Sequence, residues 1–349
     1  MHSDSRVIDA LQALRGAAAL AVFLFHLVPY FAVSGTNLFP AWLWRSGEFG
    51  VDLFFVLSGV VLTLGYASRD LSVKGVGRFY LRRGLRIYSG YWPFLLAMLL
   101  VNTSFGFERA LDDNLLGSVL LTETDISKLV LGVSWSLSFE LYFYALFGLL
   151  FLVPQRFAAA LLGLYATAIV YLHYFVTDAP LAEHFVFSPF ILEFLFGCVV
   201  GALYQRQALN LGPSSALALT ALCFVIGAVL TESDPDRIPL FRVFTFGLGS
   251  ALLIIACLHL SARWTSRGGK ALTSLGDASY TLYLCHIIFI DVAHELGLFT
   301  LLGDSHFIVA ESGNMLFILL VCLFSIGFYR VVERPLYAWL TDNDRPYMT

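Results

Sequence analysis

The sequence is short of charge. Only 13% of its 349 residues are Asp, Glu, Lys or Arg, against 58% apolar residues. A typical soluble domain has about 25% charged and about 45–50% apolar residues. A water-soluble fold of this size needs a more polar surface than this composition supplies, so the expected solvent is a bilayer. The cysteines offer little chemistry. Cys198, Cys223, Cys257, Cys285 and Cys322 all lie in apolar runs, with no two at a metal-type spacing. They are read as buried thiols, with neither a disulfide framework nor a metal site. A net charge of −4 is too small to imply a nucleic acid or another polyanion as partner. Residues 1–9 have little of the positive charge of a secretory signal, and no small-residue cleavage site follows the first apolar run. That run is expected to be the first span. No internal repeat, low-complexity linker or Gly-rich phosphate loop breaks the chain, so residues 1–349 are read as one domain.

What the sequence does have is a series of apolar runs near the 20-residue length that crosses a membrane. They fall near 9–32, 50–67, 89–104, 136–153, 157–176, 187–205, 214–231, 240–260, 278–298 and 313–333. The expected fold is an all-α, polytopic transmembrane bundle of about ten spans. Residues 74–90 are basic and amphipathic and are expected to lie along the interface. Residues 112–131 are expected to form a short re-entrant or surface helix. Ten spans put both termini on one side. Of the 21 lysines and arginines, Arg45, Arg109, Lys128, Arg237 and Arg242 fall in one set of loops, Arg15 lies in a span, and fifteen fall in the other set. That asymmetry places both termini in the cytoplasm, in a multi-pass protein of the inner membrane.

Ionisable side chains inside spans are costly and are functional candidates by default. Arg15 and His26 are eleven residues apart, about three helical turns, and share one face of the first span. His26 is then roughly 16 Å deeper than Arg15, in the outer half of the bilayer. Asp52, near the outer start of the second span, and Glu140, just inside the fourth, converge on the same depth. A histidine near carboxylates suits a general base with an orienting partner. On the cytoplasmic side Arg82, Arg83 and Arg86 precede the third span, with guanidinium forks that suit phosphate oxygens.

Each of these residues has a plainer reading. Arg15 alone fits a snorkelling anchor. The arginine trio fits topology and head-group contacts. His26 fits an interhelical hydrogen bond equally well, and Asp52 fits a helix cap. Glu140 in an apolar span is harder to assign to structure alone. Glu193, Asp291, His294 and Glu295 are linked by no spacing and are read as structural.

Several segments together resemble the acyltransferase 3 family of integral membrane acyltransferases. The first is Leu14-Arg15-Gly16 followed by His26. The second is Gly50-Val51-Asp52-Leu53-Phe54-Phe55-Val56-Leu57-Ser58-Gly59. The third is Trp135-Ser136-Leu137-Ser138-Phe139-Glu140, and the fourth is Ser279-Tyr280-Thr281-Leu282-Tyr283-Leu284-Cys285-His286. Arg83-Gly84-Leu85-Arg86-Ile87-Tyr88 resembles the family's Arg-x-x-Arg stretch, with Ser89 where members often have proline. The resemblance runs from residue 9 to Glu333-Arg334-Pro335, without the hydrolase-like domain that some members carry.

The resemblance implies an acyl-CoA donor, usually acetyl-CoA, reaching the protein from the cytoplasm, and a hydroxyl acceptor on a carbohydrate or a secondary metabolite. Arg15, Arg82, Arg83 and Arg86 would hold the donor's phosphates. His26 would act as base, supported by Glu140 or Asp52. Trp135, Ser138, Tyr283 and His286 would line the substrate tunnel. Direct transfer and an acyl-His26 intermediate both stay open. The alternatives are acylation of a small-molecule metabolite such as a macrolide, and a proton-coupled transporter. The second lacks the two-fold repeat common in carriers.

Overall fold

A bilayer interior gives the backbone no hydrogen-bonding solvent, so apolar runs of this length must close their own bonds as helices. The computed structural model of the chain does this throughout. Residues 2–33, 45–66, 72–106, 114–176, 185–233, 239–261 and 267–341 are described, and every regular element among them is helical. Helices α1 (His2–Val33), α2 (Phe49–Tyr66) and α3 (Val73–Phe105) come first. A short α4 (Leu115–Leu120) precedes α5 (Trp135–Leu149), α6 (Gln155–Phe175), α7 (Phe190–Gln205) and α8 (Pro213–Ser233). Then come α9 (Pro239–Arg242), a π-turn (Val243–Gly247), α10 (Leu248–Leu260), α11 (Arg267–Asp277) and α12 (Ser279–Glu295). The chain ends with α13 (Leu298–Gly303), α14 (Phe307–Phe328), a second π-turn (Tyr329–Glu333) and α15 (Arg334–Leu340).

Each of the ten expected apolar runs coincides with helix. Among the described residues, seven helices are long and apolar enough to cross a membrane, and the shorter apolar helices Phe49–Gly65 and Phe190–Gln205 accompany them. Helix α6 exposes Leu161, Leu164, Tyr171 and Tyr174, and α14 exposes Leu316, Leu319, Leu320 and Leu323. Apolar faces this continuous do not persist in water, and lipid is their natural cover. The topology count included Arg69, Arg109, Arg237, Arg263 and Arg345, which lie outside the described residues.

The basic stretch 74–90 differs from expectation. It is not a separate interfacial segment but the first half of the single 33-residue helix α3. At 1.5 Å per residue that helix is about 50 Å long, longer than the roughly 30 Å hydrocarbon layer. The arginine-bearing end therefore projects beyond the apolar part without a break in the helix. The helix also continues through Pro93.

The chain forms two compact units. The first comprises Met1–Ala18, Phe49–Tyr80 and Phe139–Thr273, and the second Ala19–Glu48, Leu81–Ser138 and Ser274–Thr349. In the first unit, Leu11, Leu14, Leu53, Val56, Val60, Ile254 and Leu258 form the apolar core. Here α2 and α7 meet backbone to backbone. A Cβ on Gly59 would lie 2.1 Å from the Phe194 carbonyl oxygen, and one on Gly197 would lie 2.0 Å from that of Val56. Small residues at such a crossing let membrane helices gain close packing where no hydrophobic drive exists between them.

In the second unit, aromatic contacts such as Phe23–Phe317, Phe94–Phe328 and Tyr30–Phe299 fill the space between helices. The segment expected as a re-entrant or surface helix is α4 followed by two tight turns, Ile126–Lys128 and Gly132–Ser134. The last carbonyls of a helix lack intrahelical donors. Three side chains of α3 supply them: Tyr91 donates to Ser118 O at 2.8 Å, Trp92 to Val119 O at 3.1 Å and Tyr88 to Leu120 O at 2.7 Å.

Candidate active site

His26 lies on α1 in the second unit and is half-buried. Its Nδ1 is 2.9 Å from the Val22 carbonyl oxygen, one turn back, and 3.3 Å from Nε2 of His286 on α12. The two ring centroids are 5.0 Å apart. His286 is fully buried, and its Nδ1 is 3.0 Å from the Leu282 carbonyl oxygen. Phe23 and Tyr283 pack against its ring. Each histidine is thus tied to its own helix by the carbonyl four residues earlier, and the two helices bring the rings together.

The other residues expected around the tunnel hold the segment that opens α5. The Tyr283 hydroxyl donates to Val133 O at 2.9 Å and lies 2.8 Å from Ser136 Oγ. Ser138 Oγ donates to Glu123 O at 2.7 Å. Trp135, half-buried, is the first residue of α5. The Tyr283 and Ser138 hydroxyls therefore bond to the backbone of residues 123–136.

In the stretch 105–134 that joins α3 to α5, residues 107–113 lie outside the described residues. The stretch contains a folded acidic turn. Asp125 accepts from Ser127 Oγ and Ser127 N and pairs with Lys128 at 3.1 Å. The Ser127 hydroxyl and then Lys128 push the Asp125 carboxyl down to about 2. The Asp125 backbone N–H and the Asn114 amide hold Glu123 below the usual carboxylate range.

The two carboxylates expected near His26 belong to the first unit, and each has its own partners there. Glu140 Oε1 accepts from Ser58 Oγ at 3.2 Å and from the Tyr144 hydroxyl. No hydrogen bond reaches its Oε2 among the described residues. Asp52 is completely buried in the first turn of α2. It receives Arg242 Nε at 3.0 Å on Oδ1 and Arg242 NH2 at 2.8 Å on Oδ2. Glu193, completely buried in the first turn of α7, is close enough to feel both charges. Gly247 makes room for it: a Cβ there would come within 2.8 Å of Glu193 Cγ.

Sequence reasoning had placed Arg242 among outer-loop charges and Glu193 among structural residues. A signal for Arg242 was present. An arginine opens the 240–260 run at the outer depth already assigned to Asp52, and unlike charges at one depth in apolar helices are natural partners.

The arginines divide in a comparable way. Arg86 NH1 is 2.8 Å from Glu333 Oε1, and its guanidinium lies 5.7 Å from the centre of the Tyr280 ring. The Thr281 hydroxyl also donates to Glu333, and Tyr280 donates to Ile87 O at 2.7 Å. Arg82 and Arg83, on the same helix, are half-buried. Arg15, in the first unit, donates to Gln12 Oε1 at 3.3 Å. One member of each buried ion pair adjoins a π-turn: Arg242 precedes Val243–Gly247, and Glu333 ends Tyr329–Glu333. Such turns inside helices recur at functional sites.

Several apolar helices, long enough to cross a membrane, define a multi-pass membrane protein, and comparison with known proteins makes it an acyltransferase. The chain belongs to the acyltransferase 3 family, whose acyltransferase domain matches residues 8–329. It is 30% identical to the exopolysaccharide production protein ExoZ of Rhizobium meliloti over 83% of this chain and 89% of that protein. It is 28% identical to the acyltransferase MdmB of Streptomyces mycarofaciens, over 98% of this chain and 94% of that protein. The peptidoglycan O-acetyltransferase OatA of Listeria monocytogenes is 24% identical over 80% of this chain, which spans about half of that longer protein. No solved structure matches the chain.

Proposed function

We propose that this protein is an O-acetyltransferase of the inner membrane, with ten spans and cytoplasmic termini. It moves an acetyl group from cytoplasmic acetyl-CoA to a hydroxyl of an exported carbohydrate. The observation that carries this reading is His26 held at depth against His286, in a chain similar to proteins named for exopolysaccharide production and peptidoglycan O-acetylation. His26 takes the proton of the acceptor hydroxyl. The oxygen attacks the thioester carbonyl, the carbon–sulfur bond breaks, and the thiolate leaves with the proton that His26 returns. Donor phosphates bind at the arginine-bearing end of α3, through Arg82, Arg83 and Arg86, and Arg15 is kept with them on the family signature. Glu140, with an oxygen left open, stays in the catalytic set. Asp52, gripped by Arg242, is read as fixing the start of α2.

The test is alkali-releasable acetate on the surface carbohydrate of cells that carry the gene, after deletion and complementation. Wild type restores it, and His26→Ala, with membrane levels unchanged, does not. Full restoration by His26→Ala removes His26 as base. No acetate difference between deleted and complemented cells removes the carbohydrate acceptor.

A further inference from the structure

The geometry points to His286 as the positioning residue that fixes which nitrogen of His26 is free to act as base. This inference rests on the proposal that His26 is that base. The argument follows protons along a chain of three hydrogen bonds. A carbonyl oxygen can only accept, so the contact of His286 Nδ1 with Leu282 O, at 3.0 Å, requires the proton on His286 Nδ1. A neutral imidazole carries one N–H and one lone pair. The lone pair of His286 therefore sits on Nε2, the atom 3.3 Å from His26 Nδ1.

His26 Nδ1 thus faces two acceptors, that lone pair and the Val22 carbonyl oxygen at 2.9 Å. It must carry the proton and share it between them. The lone pair of His26 falls on Nε2, which receives no hydrogen bond among the described residues. Nε2 is the basic nitrogen, and its direction is set by what holds Nδ1.

The arrangement places a neutral imidazole where a Ser-His-Asp triad has its carboxylate, accepting from Nδ1–H and holding one tautomer. His286 suits the part because its surroundings fix its own tautomer: it is fully buried, with Phe23 and Tyr283 against its ring. The Val22 carbonyl at 2.9 Å asks for the same tautomer, so the contribution of His286 is the difference measured when its acceptor is removed. His286 Nε2 supplies a second acceptor for the same N–H, from another helix. When His26 takes up a proton, its Nδ1–H still points at a lone pair and the ring need not turn.

The tautomer is read directly from the ¹⁵N shifts of His26 in ¹⁵N-histidine-labelled full-length protein in bilayers, assigned by the signal lost in His26→Ala. The expected result is protonated Nδ1 and unprotonated Nε2. The opposite pattern overturns the inference, whatever the activity of His26→Ala, so the two readings fail separately. His286→Gln places an amide oxygen near the old Nε2, and His286→Met has similar length without a comparable acceptor. The Gln variant is expected to keep the wild-type tautomer. The Met variant loses one hydrogen bond and is expected to shift the tautomer ratio about fivefold toward Nε2–H. Identical ratios in the Gln and Met variants assign the tautomer to Val22 and remove His286 from the role. If His286→Met does not fold, His286→Leu, which also lacks an acceptor, takes its place in the comparison with Gln.

Discussion

Arg242 grips Asp52 with two nitrogens, Nε on one carboxylate oxygen and NH2 on the other, and Asp52 is wholly shielded from solvent. Removing one partner of a buried pair leaves the other charged in a medium that cannot solvate it, at a cost of about 3–5 kcal/mol. Arg242→Ala is therefore expected to lower the midpoint of thermal unfolding in detergent markedly. Asp52→Asn, which keeps the shape and removes the charge, is expected to cost less. An Asp52→Asn protein of wild-type stability that has lost turnover would return Asp52 to the catalytic set.

The contact of α2 with α7 admits no side chain. A methyl at Gly59 or Gly197 would press on a backbone carbonyl at about 2 Å, and backbone cannot swing aside as a side-chain tip can. Overpacking typically costs about 1–3 kcal/mol, and a clash between two backbones belongs at the upper end. Gly59→Ala and Gly197→Ala are expected to reduce the monodisperse fraction in size-exclusion chromatography. Gly163, on α6 with nothing within 4 Å, is the control, and Gly163→Ala is expected to be neutral or better because alanine favours helix by about 1 kcal/mol. Equal behaviour of Gly59→Ala and Gly163→Ala would overturn the close crossing.

The helices were legible because a membrane leaves a strong mark: ten apolar runs of the right length became ten helices or parts of them. The stretch 74–90 was expected to lie along the interface, apart from the third span, but amphipathic and apolar stretches can share one helix, and composition changes along α3 without ending it. Within the candidate site, residue types were legible and pairings were not. His26 was found by its cost at depth, but its neighbour His286 is 260 positions away and was noticed only through a motif. Arg242 and Glu333 were missed as partners because ion pairing depends on tertiary approach, for which a single sequence has only depth as a guide. Nothing local to Tyr88, Tyr91 and Trp92 showed that their polar tips cap α4.

The acidic turn at 123–128 gives a pH prediction outside the spans. Asp125 has its carboxyl depressed to about 2, below an ordinary value of about 3.9. Its contribution to local order is present above the ordinary value and is lost as pH falls through the depressed one. The amide of Ser127, which donates to Asp125, is expected to gain exchange rate as pH drops from about 4 to about 2. Because intrinsic exchange also varies with pH, the comparison is with Asp125→Ala at each pH. Wild type and variant should converge at the acid end, and convergence already at pH 6 would show that the cap is not formed.

Arg83 and Arg86 lie three apart on α3 and looked equivalent in the sequence, yet the structure separates them. Arg86 is the partner of the nearly inaccessible Glu333, so Arg86→Ala strands a buried carboxylate and is expected to cost about 3–5 kcal/mol before any ligand is considered. Arg83 is half-buried on the same helix, and the response of Arg83→Ala to donor is read against its own ligand-free midpoint. The two variants should also differ in the presence of donor. A ligand that binds only the folded state adds about 2.7 kcal/mol at one hundred times its Kd. Acetyl-CoA is therefore expected to raise the wild-type unfolding midpoint and to raise that of Arg83→Ala much less. Arg86→Ala combined with Glu333→Gln removes the stranded charge and tests whether Arg86 touches the donor at all. If both Arg83→Ala and that double variant keep the full acetyl-CoA response, the phosphates bind elsewhere and the arginines of α3 set topology alone.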